Sequence, residues 1–322
     1  RTGGFCAPSI SHGVSNALSR FPKEAETLIR LGRENLDEYA QDLDRYQMDA
    51  GFERAGKLNV AATPWQAEGL HSMARSYARL GIACDLLTGA ALREKLDSPV
   101  YGAGMVLTTT QARVLSAQVI LATNAATPLM KRLRMAFIPI YDYSLVTEPL
   151  TPDQWASIGW TGRYGIADSG NQFHYFRKTQ DNRMLWAGFD AVYHYGSARD
   201  AAHLQRPESF KRLATRFATA FPTLAGVQFS HAWGGIIDTS ARTTFFAGQA
   251  HGGRVAYAMG FTGQGVSASR FAALTMLDLL EGADTERTRL RMTRRRPVPF
   301  PPEPLRSIAV RQAQKALAHE DQ

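Results

Sequence analysis

Between Gly260 and Val266 the chain reads Gly-Phe-Thr-Gly-Gln-Gly-Val, a spacing of glycines that serves backbone chemistry rather than side-chain chemistry. Without β-carbons at Gly260, Gly263 and Gly265, the N–H groups of the turn can approach a ligand closely. The helix predicted to follow, with Val266, Phe271, Leu274, Leu277 and Leu280 as its apolar positions, directs its positive end at the same place. Such a turn receives an anion or an electron-rich ring; the competing reading is a helix that starts after a glycine turn in order to pack well. Elsewhere Tyr175 and Arg177 stand two apart, hence on one face of a strand. A guanidinium there offers a two-pronged donor to a carboxylate; the alternative is an exposed hairpin arginine beside a core tyrosine. Trp233 reads either as a pocket wall or as a core residue of its strand. His174 and His231 lack metal-ligand spacing, and two cysteines, Cys6 and Cys84, are too few for a disulfide framework or a structural zinc site. No metal is expected, and a reducing, cytoplasmic setting is the default.

The elements that must hold these residues follow from periodicity. Val255, Tyr257 and Met259 alternate as a strand that leads into the glycine turn. Val114 to Ala122 reads as a strand turning wholly apolar, as on entering a buried parallel sheet, and ends at Thr123-Asn124-Ala125. Pro22 to Tyr46 is an amphipathic helix, with Ile29, Leu36 and Leu43 seven apart and Leu28, Leu31 and Tyr39 on the same side. Lys57 to Ala61 is a short strand. A helix begins at the capping box Thr63-Pro64-Trp65-Gln66 and stops at Gly81, and another short helix is read around Ala90 to Leu96. Phe137 to Thr147 is a strand broken by Pro139, followed by a capped turn at Thr151-Pro152-Asp153-Gln154. Gln172 to Lys178 and Met184 to Phe189 form a hairpin, and Val227 to Ile237 is a further strand. Pro207 to Phe221 is a helix with Phe210, Leu213, Phe217 and Phe221 on one face. Successive strands without alternating helices predict an antiparallel sheet here. Four prolines between Pro297 and Pro302 predict an extended surface linker, and Leu305 to Leu317 a last helix.

With 322 residues, of which 44% are hydrophobic, the chain is long enough for about two domains and a sizeable core. No apolar run reaches the length that spans a bilayer, so no membrane partner is expected. The net charge of +8 raises the question of nucleic acid. Much of the excess lies between Arg287 and Arg296, with no nucleic-acid fold and no aromatic stacking pattern, so a solvated basic surface is the reading and no nucleic acid is expected.

Gly260 to Val266 resembles the C-terminal flavin-contacting segment of the D-amino-acid oxidase family of FAD-dependent oxidoreductases, whose members include glycine, sarcosine and γ-glutamylputrescine oxidases. Arg1-Thr2-Gly3-Gly4-Phe5 is similar to the SGRNGG loop along the cofactor, with Thr2 where Asn is usual. Val119 to Ala125 resembles the later strand and loop of the FAD domain. Trp233-Gly234-Gly235-Ile236-Ile237-Asp238 and the hairpin Tyr175 to Asp190 resemble parts of the substrate domain. The resemblance implies an α/β fold, α+β overall, in which a truncated Rossmann-like FAD domain (1–20, 100–135 and 240–285) is interleaved with an antiparallel-sheet substrate domain (21–99 and 136–239), followed by a tail (286–322). It implies FAD held by Thr2, Gly3, Gly4, Ala122, Thr123, Asn124, Gly260, Phe261, Thr262, Gly263, Gln264, Gly265 and Val266. Tyr175, Arg177 and Trp233 are implied on the substrate side.

The activity implied is oxidation of an amine or amino acid by hydride transfer to flavin, giving an imine that water hydrolyses. The lysine of the sarcosine oxidase branch is not visible at Leu185-Trp186-Ala187, so the electron acceptor is oxygen or another molecule. Relatives begin with a strand, a G-x-G-x-x-G turn and a helix, normally ~30 residues, and carry a helix and strand where Val106 here runs into Leu107. On that comparison the sequence reads as a shortened member that holds FAD weakly. The alternative is a non-catalytic remnant or partner subunit. The oligomeric state is not legible.

Overall fold

The computed structural model describes residues 6–54, 57–61, 64–82, 84, 118–126, 128 and 130–320. The stretch read as a helix around Ala90 to Leu96, the Val106–Leu107 junction and the loop with Thr2, Gly3 and Gly4 lie outside them.

In chain order the helices are α1 (Val14–Arg20), α2 (Ala25–Arg45), α3 (Pro64–Arg79), α4 (Pro152–Ser157), α5 (Pro207–Ala220), α6 (Gly265–Glu281), α7 (Glu286–Arg289), α8 (Arg291–Arg294) and α9 (Leu305–Glu320). The strands are β1 (Lys57–Val60), β2 (Val119–Leu121), β3 (Phe137–Thr147), β4 (Gly165–Asp168), β5 (His174–Lys178), β6 (Met184–Gly188), β7 (Phe229–Ser240), β8 (Phe246–Ala250) and β9 (Val255–Met259). A larger sheet has the order β1-β4-β5-β6-β3-β7, antiparallel except for the β1–β4 pair, and a smaller one the order β2-β9-β8.

Tyr141, Tyr143 and Leu145 of β3, Phe176 of β5 and Trp186 of β6 lie on one face of the larger sheet, packed against Leu213 and Phe217 of α5. The aromatic stripe of α5 legible in the sequence is therefore the lid of this core, and the Trp186 indole N–H donates to the Leu213 carbonyl at 3.1 Å. The smaller sheet packs against α1, α2 and α6 through Ala17, Leu28, Phe245, Ala256, Phe271 and Met276. Thr151 and Gln154 exchange both bonds of a capping box at α4, as read from the sequence.

Two readings change. Pro139 does not break β3, which pairs with β7 in continuous register from Phe137 to Val146. The N–H of Tyr141 points away from β7, to the Val192 carbonyl. Residue 139 shares that direction, where no strand is paired, so the missing proline N–H costs no ladder bond. The strand at Val114 to Ala122 is described only as Val119–Leu121, and there Val119 and Ile120 are exposed at a sheet edge rather than buried. The strand β8, which pairs antiparallel with β9, has no counterpart in the sequence reading.

Candidate active site

Strands β2 and β9 run parallel, with Leu121 opposite Tyr257, so the loops after both leave from the same edge of the smaller sheet. This is the carboxyl edge where α/β sheets gather ligands. The loop after β2 carries Ala122, Thr123 and Asn124; the loop after β9 is the glycine turn, which runs into α6. A cavity of about 560 Å³ opens between them, lined by Ala122, Asn124, Phe261, Gly263, Gly265 and Val266, with Ile236, Ile237 and Asp238 of β7 on another side. Its size falls in the usual range for cofactor and small-ligand sites.

The turn is shaped from a distance. Gly260 and Gly263 have φ of 81° and 84°, which glycine adopts freely, and Thr262 has φ of 51°, which costs a residue with a side chain energy unless the surroundings enforce it. The Asp238 carboxylate enforces it, accepting the Gly260 N–H at 2.6 Å and the Phe261 N–H at 3.1 Å, while its backbone carbonyl accepts the Thr262 N–H at 3.0 Å. The Thr262 hydroxyl donates back to the Gly260 carbonyl and accepts the Ser240 N–H. Thr262 is thus committed to the turn. Burial pushes the Asp238 carboxyl up to about 7 against the pull of these N–H groups.

The glycines divide into two kinds. A β-carbon on Gly260 would lie 2.8 Å from Cβ of Ser240 and 2.9 Å from the Phe246 ring, so this glycine serves close packing. On Gly263 it would meet nothing within 4 Å, and on Gly265 only Phe261 Cβ at 4.0 Å. These two keep space open at the cavity. The N-terminus of α6 has no side-chain cap, which leaves its first N–H groups for a ligand. The Thr123 hydroxyl is buried without a partner. Open glycines and an uncapped helix start beside one cavity fit an electron-rich ring system with polar substituents, as FAD presents, while Thr123, between Ala122 and Asn124, is not among the residues that line it.

The face of the larger sheet opposite α5 carries the other candidates. In register, Tyr175 lies opposite Ala187, Ala187 opposite Ser144, and Ser144 opposite Trp233, so Tyr175 and Trp233 share one cross-strand row. Trp233 packs on Val146, Leu185 and Ala187, and its indole N–H is buried without a partner. Arg177 lies one row further, opposite Leu185. Its guanidinium is half-buried, held below its ordinary pKa by burial and by Arg163, with Glu53 acting the other way. His174 is a core residue and His231 is exposed. Among the described residues no group of three or more His, Cys, Asp or Glu side chains could hold a metal ion.

The structure therefore brings Ala122, Asn124, Phe261, Gly263, Gly265 and Val266 to one cavity and Tyr175, Arg177 and Trp233 to one sheet face, while Gly260, Thr262 and Gln264 shape the turn. The sequence reading missed Asp238 as the organiser of the turn and Asp142, a buried carboxyl on the same sheet face as Trp233. The available signal for Asp142 was a lone acidic residue inside an apolar strand.

A helix N-terminus and two loops converging on the carboxyl edge of a parallel pair, beside an antiparallel sheet, define a protein built to hold a ligand at that edge. The sequence profile of the FAD dependent oxidoreductase family, DAO, matches residues 94–279, and the chain belongs to this family. It is 30% identical over 190 residues to γ-glutamylputrescine oxidoreductase of Escherichia coli (strain K12), covering 56% of this chain and 40% of that protein. It is 30% identical over 126 residues to a probable oxidoreductase, OrdL, of Rhizobium meliloti (strain 1021), covering 39% and 27%. The chain thus spans less than half the length of these curated relatives. Among solved structures it resembles glycine oxidase from Geobacillus kaustophilus, with a TM-score of 0.63 at 17% identity over 80% of each chain. It also resembles L-proline dehydrogenase from P. horikoshii, with a TM-score of 0.58 at 15% identity over 79% and 80%.

Proposed function

We propose that the chain belongs to an enzyme that oxidises an amine or amino acid, with FAD at the cavity between the β2 loop and α6. When bound, FAD supplies a hydride acceptor for the carbon next to a neutral amine, and the resulting imine is hydrolysed to a carbonyl compound and ammonia or amine. The observation that carries this reading is the convergence of Ala122, Asn124, the open glycines Gly263 and Gly265 and the uncapped α6 on one cavity. The N–H groups at the start of α6 stabilise negative charge at that point, Ile236 and Ile237 exclude water from one wall, and the face with Tyr175, Trp233 and Arg177 receives the substrate. In this reading residues 1–20, 100–135 and 240–285 form the cofactor layer, joined by α2, which packs against the smaller sheet and α6, while 46–99 and 136–239 form the substrate layer and 286–322 a tail. Oxygen or another acceptor takes the electrons. Among the described residues no helix is long and apolar enough to cross a membrane; a reducing, cytoplasmic setting is part of the reading, on the scarcity of cysteine in the sequence.

Titration with FAD, followed by flavin absorbance, tests the reading. Saturable binding is expected, at least tenfold weaker in Gly265→Val, whose β-carbon would meet only Phe261 Cβ, at 4.0 Å. Equal binding by the variant, or no saturable binding by the parent chain, overturns it.

A further inference from the structure

Residues 193–199, between β6 and α5, form a loop that joins the tail, β3 and the β2 loop. The tail holds it through Glu303, which accepts from the Tyr193 hydroxyl and the Gly196 N–H, and through the buried Arg306, whose Nη1 donates to the Ser197 hydroxyl oxygen at 2.8 Å. From β3 the Tyr141 hydroxyl donates to the Ala198 carbonyl at 3.2 Å. The same loop extends Arg199 to the β2 loop. Its Nε donates to the Ala125 carbonyl at 2.5 Å and its Nη1 to the Ser197 carbonyl at 2.8 Å, with the guanidinium carbon 5.9 Å from the centre of the Phe137 ring.

Ala125 follows Asn124, which lines the cavity. Asn124 has φ of 47°, and the turn around it is closed by the bond from the Ala126 N–H to the Thr123 carbonyl at 3.1 Å. Asparagine tolerates this left-handed geometry, and the geometry persists when the surroundings fix it. A guanidinium supplies that support well, because a charge-assisted hydrogen bond is roughly twice as strong as a neutral one. The far end of the connection from β2 to β3 is tied to the tail directly: the Phe300 N–H donates to the Met135 carbonyl at 2.7 Å, and Arg306 Nη2 to the Met135 sulfur at 2.9 Å. The tail thus reaches Met135 itself and Ala125 through Arg199. Arg199, Glu303 and Arg306 are not among the residues that line the cavity.

We infer that Arg199 is a positioning residue for the ligand site: it fixes the Ala125 carbonyl, and with it Asn124 at the cavity, while the tail, through Glu303 and Arg306, fixes Arg199. Residues beyond Pro297 then govern binding at a cavity they do not line.

This inference rests on the proposed flavin reading, and its test separates the two. Arg199→Met keeps the stem and removes the donors, and Arg199→Lys restores a donor. Arg183→Met is the control for lost stability, since Arg183 donates in a similar way to the Thr147 carbonyl and the Ser230 hydroxyl oxygen, at the β5–β6 hairpin. Each full chain gives two readings: hydrogen–deuterium exchange in peptides that contain Ala126, without FAD, and FAD affinity by absorbance titration. Arg199→Met is expected to speed that exchange several-fold and to weaken FAD about tenfold. Arg199→Lys should recover most of both, and Arg183→Met should change neither. Glu303→Ala should weaken FAD about threefold in the parent chain and add nothing to Arg199→Met, because the two act along one line of contacts. Unchanged exchange in Arg199→Met overturns the inference. So does faster exchange with unchanged FAD affinity, equal weakening in Arg183→Met, no recovery in Arg199→Lys, or independent effects of Glu303→Ala and Arg199→Met. Each of these leaves FAD binding by the parent chain standing, whereas no saturable FAD binding by the parent chain overturns both the flavin reading and the inference.

Discussion

At the scale of single residues the glycine turn separates two jobs that the sequence presents as one. Gly260→Ala places a β-carbon against Ser240 and Phe246 at a φ of 81°. It should cost about 2–4 kcal/mol of stability by strain and overpacking, measurable as a lower urea midpoint at unchanged slope. Gly265→Val, with open space before it, should leave that midpoint within about 1 kcal/mol of the parent while losing FAD. The glycine spacing was legible because only backbone geometry demands it. Which glycine packs and which opens a cavity was not, because the deciding atoms come from β7 and β8, far away in the chain. Asp142 and Asp238 escaped for a related reason: each lies in a strand whose neighbours are mostly apolar or aromatic, and only the cross-strand register shows what its carboxyl faces.

At the scale of elements, β5 and β6 carry a stack that couples stability to pH. The His174 ring lies between Trp186, at 4.7 Å and 29°, and Phe189, at 5.1 Å and 18°, and the Arg216 guanidinium sits over the far side of Phe189 at 3.4 Å. Burial, then the Arg216 charge, lower the His174 pKa to about 3 from 6.5. A depressed folded pKa means that the unfolded chain binds the proton more readily. The stability this group contributes is complete above pH 6.5 and is lost as the pH falls toward 3. His174→Phe keeps the stack and removes the titration. Between pH 7.5 and pH 5.0 the variant should gain about 2 kcal/mol relative to the parent chain, at roughly 1.4 kcal/mol per pH unit below 6.5. Urea unfolding at the two pH values checks this, and a difference that does not move with pH would remove His174 from the titration. The hairpin itself was legible from its alternation and polar turn. β4 and β8 were not, being short strands whose partners are supplied by the fold rather than by local pattern.

At the scale of the whole molecule, the proline-rich stretch that the sequence presents as a surface linker is fastened down. Phe300 N–H donates to the Met135 carbonyl at 2.7 Å. The Glu303 carboxylate accepts from the Tyr193 hydroxyl at 2.6 Å, the Gly196 N–H at 3.0 Å, and the Ser307 N–H and hydroxyl at 3.1 and 2.7 Å. Glu303→Ala should release the tail and raise tryptic cleavage at the exposed Arg294 and Arg295 several-fold, with the far-ultraviolet circular dichroism little changed; an unaltered digestion pattern would show the clasp to be dispensable. Prolines announce what a segment cannot form, and they are silent about what it rests on. A different feature governs how the molecule can move. β7 is a single unbroken strand that contributes Trp233 to the sheet face of Tyr175 and Arg177 at one end, walls the cavity with Ile236 and Ile237 in the middle, and at the other end clamps the glycine turn through Asp238 and the bridge from Thr239 to Phe261. A jaw needs a hinge between its two bites, and here both bites are cut into the same bar. The distance from that sheet face to the cavity is therefore set when the chain folds, not when a ligand arrives.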